Sequence, residues 1–176
     1  MPMVSLRRYH SIVLFAHSNH CDRAVGGRVD QLNYDKEYAR KVNVEMTNNA
    51  AQAMSVYLAP HLPVGKAFHF VYCSGSYAEW DQNKTLLFLG DSRRFKGESE
   101  KQLCELADNQ VSKDKFKVWI VRPLGLLDES SPLMKKWTVG KLGFGTETAQ
   151  LGRAMVQIAL DGADQRILEN ERIQDF

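Results

Sequence analysis

The side chains able to do chemistry in this 176-residue chain fall into a few groups. His17, His20 and Cys21 are the one cluster that resembles metal ligands. A four-coordinate zinc site needs further donors at a workable spacing, and no second pair stands at one, so the cluster reads as a polar loop and no metal is expected. Ser74 and Ser76 flank Gly75 directly after an apolar run. No His or Asp constellation accompanies them, as a hydrolase triad would require. Cys73, inside that run, reads as a small buried hydrophobe. Gly140, Gly143 and Gly145 run in the opposite order to Gly-x-Gly-x-x-Gly and follow no strand, so they read as a loop rather than a phosphate cradle. No P-loop is present. The most informative stretch is Phe70 to Glu100, with Val71-Tyr72-Cys73-Ser74-Gly75-Ser76 at one end and Arg94-Phe95-Lys96-Gly97-Glu98-Ser99-Glu100 at the other.

The elements around these residues alternate between strand and helix. Ile12–Phe15 is a short β-branched and aromatic run of the kind buried on both faces of a sheet. A polar loop with Gly26-Gly27 comes next. From Lys36 to Leu58 the positions Tyr38, Val42, Met46, Ala50, Ala53/Met54 and Tyr57 recur at three- or four-residue steps, which predicts a long amphipathic helix closed by Pro60 and Pro63. Phe68–Cys73 predicts a second strand, Glu79–Lys84 a polar insertion, and Arg93–Asp108 a helix with Phe95, Leu103 and Leu106 on one stripe. Lys117–Val121 predicts a third strand, stopped at Arg122-Pro123. Thr146 is a suitable N-cap for a helix over 147–161 that buries Leu151, Met155 and Ile158/Ala159, with Gly162 ending it and Arg166–Leu168 as a last short strand. Strands separated by helices of this length mean βαβ units and a mainly parallel sheet. Ligands bind beyond the carboxyl ends of such strands, here His17–Asn19, Ser74–Tyr77 and Arg122–Gly125.

Composition narrows the classes. Hydrophobic residues make up 44% and charged residues 25%, enough to bury a core in one domain. The 23 Lys and Arg nearly balance 21 Asp and Glu, which argues against nucleic acid or a membrane surface as a partner. No apolar stretch approaches the roughly 20 residues of a membrane span. Three cysteines without a Cys-x-x-Cys spacing favour a reducing compartment. The amino-terminal Arg7, Arg8 and Ser11–Ala16 fall short of a signal peptide, whose apolar region needs about 7–15 residues. The Asn83-Lys84-Thr85 sequon would matter only in a secreted protein. A cytoplasmic protein is expected.

The Phe70–Glu100 segment, together with Lys41-Val42-Asn43-Val44, Val121-Arg122-Pro123-Leu124-Gly125 and Ile167-Leu168-Glu169-Asn170, resembles the later half of a short-chain dehydrogenase. The flavour is that of the atypical or extended branch, NmrA-like or NAD-dependent epimerase/dehydratase-like. The similarity runs from about Gly26 to Ile173. It implies an α/β fold: a truncated Rossmann-like parallel sheet flanked by helices, lacking the N-terminal strands and the glycine fingerprint. It also implies an atypical segment 1–25 followed by a partial NAD(P)-binding domain, 26–176. Ser74 or Ser76 would stand where the family's catalytic serine hydrogen-bonds a substrate carbonyl or hydroxyl. Lys96, with Glu100 one turn on, looks like the lysine of Tyr-x-x-x-Lys, which binds the nicotinamide ribose and lowers the tyrosine's pKa. Arg122 and Pro123 resemble the turn near the nicotinamide, and they join Lys96 and Asn43 as the implied cofactor-binding residues, the cofactor being NAD or NADP.

Two departures temper the activity. Four residues before Lys96 stands Ser92 in place of tyrosine, and one ammonium cannot bring an aliphatic hydroxyl into range of neutral pH. The segment before Gly26 resembles nothing in the family, as in a truncated gene product. Without its neighbouring strands the 12–15 strand would be an open apolar edge, and a homodimer through that edge is expected. The resemblance thus leaves two readings: an oxidoreductase or epimerase-like enzyme acting on a small hydroxyl- or carbonyl-bearing metabolite, or a catalytically inactive remnant serving as a binding or regulatory module.

Overall fold

Strands that are apolar on both faces require helices on both sides, and the chain supplies them. The computed structural model describes residues 19–24, 26–108, 114–127 and 145–176. In chain order the strands are β1 (His20–Arg23), β2 (Phe68–Cys73), β3 (Phe116–Arg122), β4 (Gly125–Leu127), β5 (Gly145–Glu147) and β6 (Ile167–Glu169). The helices are α1 (Lys36–Arg40), a π-helical turn (Lys41–Glu45), α2 (Met46–Tyr57), α3 (Gly90–Asp108), α4 (Thr148–Asp161) and α5 (Asn170–Ile173). The main sheet is parallel throughout, in the order β1-β2-β3-β6, and β4 and β5 form a separate parallel pair. This is the α/β architecture that the alternation of strand and helix predicts.

Alternation along β2 and β3 divides the core in two. Phe68, Phe70 and Tyr72 with Phe116, Val118 and Ile120 face Ala51 and Met54 of α2 and Leu103, Cys104 and Ala107 of α3. Val71, Trp119 and Val121 face Leu151, Ala154, Met155 and Ile158 of α4. On the first face the rings of Phe68 and Phe116, paired in register, lie 6.0 Å apart and nearly parallel. Each such ring contributes about 1.5–3 kcal/mol by leaving water.

β2 spans the predicted residues, and β3 extends the predicted strand by one residue at each end. Other expectations need correction. His20 and Cys21 do not lie in a polar loop but in β1, with Cys21 buried in the core, where burial pushes its thiol up to about 11. β1 thus belongs to the main sheet, paired with β2. Gly145 opens β5, whereas Gly140, Gly143 and the Ile12–Phe15 run lie outside the described residues. Thr146 is not an N-cap. It lies in β5, its hydroxyl bonded to Asn170, and Glu147 holds the cap position.

The long helix is interrupted where sequence predicts continuity. Asn43 Nδ2 donates to the carbonyl of Ala39, four residues back and the ordinary acceptor of the Asn43 backbone N–H, and the helix widens there into the π turn. An extra residue in one turn rotates the remainder of the helix about its axis. Downstream, the buried stripe is Thr47, Ala51 and Met54/Ser55, one residue beyond the predicted one for most of its length, and Tyr57 is exposed; Tyr38, upstream of the π turn, is exposed as well.

At α3 the fit is tight. The polar segment after β2 crosses the helix at Gly97, and a Cβ there would lie 1.9 Å from the Glu79 carbonyl oxygen. Glu79 N–H donates to the Arg93 carbonyl at 3.0 Å, which fixes the crossing. Helix propensity alone would make Gly97→Ala stabilising by about 1 kcal/mol. The contact reverses the sign: we expect a net loss of about 1–3 kcal/mol in urea or thermal unfolding.

Candidate functional site

The carboxyl ends of β1, β2 and β3 gather most of the residues singled out in the sequence. After β1 the chain passes through Gly26, whose φ of +153° suits glycine alone and whose Cβ would lie 2.6 Å from Asn43 Oδ1. The buried Asn43 amide is fully engaged. Its Nδ2 donates to the carbonyls of Gly27 (2.9 Å) and Ala39 (2.8 Å), and its Oδ1 accepts from the Gly27 N–H (3.3 Å). Asn43 therefore acts as a positioning residue, clamping the Gly26-Gly27 loop onto the π turn.

Lys96 reaches across from α3. Its ammonium donates to the Cys73 carbonyl at 3.1 Å, lies 5.0 Å from the centre of the Tyr72 ring, and would be 3.1 Å from a Cβ at Gly26. Burial pushes the Cys73 thiol up, and the Lys96 charge pulls it the other way. Lys96 is thus partly buried and aimed at the end of β2, unlike an ordinary surface lysine.

The two serines are distinguished by their partners. Ser76 Oγ donates to the Arg122 carbonyl at 2.9 Å, and its N–H to the Pro123 carbonyl at 3.1 Å, so it fastens the end of β2 to the end of β3. Ser74 Oγ is buried without a hydrogen-bond partner. Ser92 Oγ, four residues before Lys96, accepts from the Val29 N–H at 2.9 Å. Tyr77 is half exposed, with its ring edge-on to Phe88 and Arg93 across both.

Arg122 is held by protein groups. Its Nε and Nη2 donate to Glu100 at 2.9 and 2.5 Å, and its Nη1 donates to Glu169 at 2.7 Å. Glu100 is fully buried and also accepts from Trp80 Nε1 at 2.6 Å. These bonds, chiefly those to Glu100, push the Arg122 pKa up further and hold the guanidinium charged. Pro123 begins the next turn, and Leu124 N–H donates to Asn170 Oδ1 at 2.9 Å. The Glu100–Arg122–Trp80 cluster is not legible in the sequence, although Glu100 and Arg122 both stand in its most informative segments. Nothing in their separation of 22 residues signals the pairing. Among the described residues no group of His, Cys, Asp and Glu could hold a metal ion.

No protein-family model matches this chain. No curated protein matches it either. Among solved structures it is similar to MoeE5 in complex with UDP-glucuronic acid and NAD, with a TM-score of 0.56 at 12% identity over 86% of this chain and 55% of that one. The chain thus spans about half the length of that neighbour, and the likeness is one of fold.

The buried pair makes a testable asymmetry. Glu100→Ala leaves a mostly buried guanidinium short of its main partner, with an expected loss of about 3 kcal/mol or more. Glu169→Ala removes a half-exposed carboxylate and should cost about 1 kcal/mol at most. Urea unfolding of both variants checks the difference.

Proposed function

We propose that this chain is part of a nicotinamide-nucleotide-binding protein of short-chain dehydrogenase ancestry, an oxidoreductase or epimerase-like protein acting on a small hydroxyl- or carbonyl-bearing metabolite. The observation that carries the reading is the convergence of Lys96, the Asn43-clamped Gly26-Gly27 loop and the unpartnered Ser74 hydroxyl at the carboxyl ends of β1 and β2. The neighbour's complex with NAD supports the same reading.

The residues present fit such a nucleotide. Gly26 offers bare backbone, and the Lys96 ammonium has three donors of which one goes to the Cys73 carbonyl. Lys96 and the Gly26 backbone would hold the nucleotide, with Asn43 keeping the loop in place and Pro123 bounding the site from β3. When bound, the nucleotide supplies hydride transfer. Ser74 would hydrogen-bond the reacting carbonyl or hydroxyl of a substrate.

Ser92 favours the second reading, a binding or regulatory module without proton transfer. Its hydroxyl is not a usable acid or base near neutral pH, and it is already engaged by the Val29 N–H. Turnover of NADH or NADPH against a metabolite panel separates the two.

A cytoplasmic location agrees with the three free cysteines, and among the described residues no helix is long and apolar enough to cross a membrane. A homodimer through a strand edge agrees with β1, which among the described residues pairs with β2 alone. Light scattering that finds a stable monomer removes the dimer.

Isothermal titration with NADH and NADPH tests the main claim, with micromolar binding of at least one expected. Lys96→Ala should weaken that binding at least about tenfold while changing stability by about 1 kcal/mol. A folded parent that binds neither nucleotide, or a variant that binds as well as the parent, overturns the assignment.

A further inference from the structure

Donors outnumber acceptors behind this site. Arg23, the last residue of β1, is 4% exposed, and its one bond is a long 3.4 Å contact from Nη2 to the Val42 carbonyl of the π turn. Its Nε is buried without a partner. Tyr72 lies opposite Arg23 in the β1–β2 register, and its fully buried hydroxyl also has no partner. The Lys96 ammonium stands over the same tyrosine ring, and the Ser74 hydroxyl, two residues on, is unpartnered as well.

Among the described residues no carboxylate pairs with this cluster. Every ion pair among the described residues lies elsewhere, so Arg23 and Lys96 have no counter-charge there. The side chains whose charges bear on Arg23 are Tyr72 and Cys21, neither of them a carboxylate, and burial lowers the Arg23 pKa. A guanidinium taken out of water without a counter-ion is among the costlier things a fold can do. By contrast, Lys66 and Lys117, in a cleft at the opposite ends of the strands, are exposed, so water satisfies them.

We propose that Arg23, with Tyr72 and Lys96, forms a binding site for an oxyanion, a phosphate or carboxylate borne by the ligand of this protein. The chemistry matches: a guanidinium with four of its five N–H donors unspent, a phenol and an ammonium need an acceptor-rich, negatively charged partner. Lys96 Nζ stands 3.1 Å from where a Cβ at Gly26 would lie, so the ammonium also borders side-chain-free backbone. The site shares Lys96 with the nucleotide site but stands on Arg23 and Tyr72, so it holds whether or not a nicotinamide nucleotide binds. The oxyanion has two sources, the phosphate of a nucleotide or the acidic group of a substrate.

The test is thermal unfolding of the chain in inorganic phosphate against chloride at equal ionic strength. Parent protein should gain about 5 °C at a hundredfold excess over the dissociation constant. Arg23→Leu should melt no lower than the parent in chloride, because a buried charge without a partner has been removed, and should lose the phosphate response. Tyr72→Phe, which keeps the ring, should weaken the response several-fold and serves if the leucine variant does not fold. A parent indifferent to phosphate, or variants that respond as the parent does, overturns the proposal. Titration of NADH into parent and Arg23→Leu identifies the source. Loss of both responses assigns the oxyanion to the nucleotide, and loss of the phosphate response alone assigns it to a substrate. A parent that responds to phosphate yet binds no NADH keeps this site and removes the nucleotide reading.

Discussion

One buried carboxylate ties together the elements around the carboxyl ends of the strands. Glu100 sits fully inside, and its two oxygens accept from Arg122 at the end of β3 and from Trp80 in the segment after β2. Arg122 passes the connection on to Glu169 at the end of β6. A single side chain on α3 thereby fixes that helix to two strands and to the segment that crosses it at Gly97. Lys96 is one turn away on the same helix, so its reach to the Cys73 carbonyl depends on this anchorage. A carboxylate in such a place is stable because every charge it brings in is met by a donor.

The π turn does for the other side what Glu100 does for α3. Asn43 takes a carbonyl that the helix would ordinarily use, and the helix widens to accommodate it. In return the amide is presented edge-on to the Gly26-Gly27 backbone, with donors and acceptor all satisfied. Site and fold are therefore shaped by the same residue. The cost appears as a rotated helix face after the turn, with Tyr57 outward where the sequence pattern of an unbroken helix would bury it.

How far such features show in a sequence depends on whether they are local. Phe68–Cys73 and Phe116–Arg122 are legible because β-branched and aromatic runs bounded by polar residues leave few alternatives. His20–Arg23 is not: half of its residues are charged, and it becomes a strand only because β2 offers an edge. Helix periodicity locates Lys36 to Tyr57 but cannot show a π turn, which arises from one amide meeting one loop. Ser74 and Ser76 look alike in spacing, and only tertiary contacts reveal that one hydroxyl is spent and the other is not. Arg122 resembles a ligand-binding residue by position, yet Glu100 and Glu169 engage its guanidinium. The neighbouring fold carries the architecture across 12% identity, as packing does, while residue roles do not travel so far.

The parallel sheet has a consequence for how the chain reaches this structure. Each pairing joins residues nearly fifty positions apart: His20 with His69, Phe68 with Phe116, Ile120 with Ile167. No pair of neighbouring strands can be closed by a tight turn, so each must wait for a long loop to be ordered first. Contacts of that span put the chain among slow folders, and the helices are the parts able to form early. During synthesis β2 emerges with its phenylalanines uncovered well before β3 is available to cover one side of it. That interval, rather than the finished molecule, is where this sequence is most exposed to association with the wrong partner.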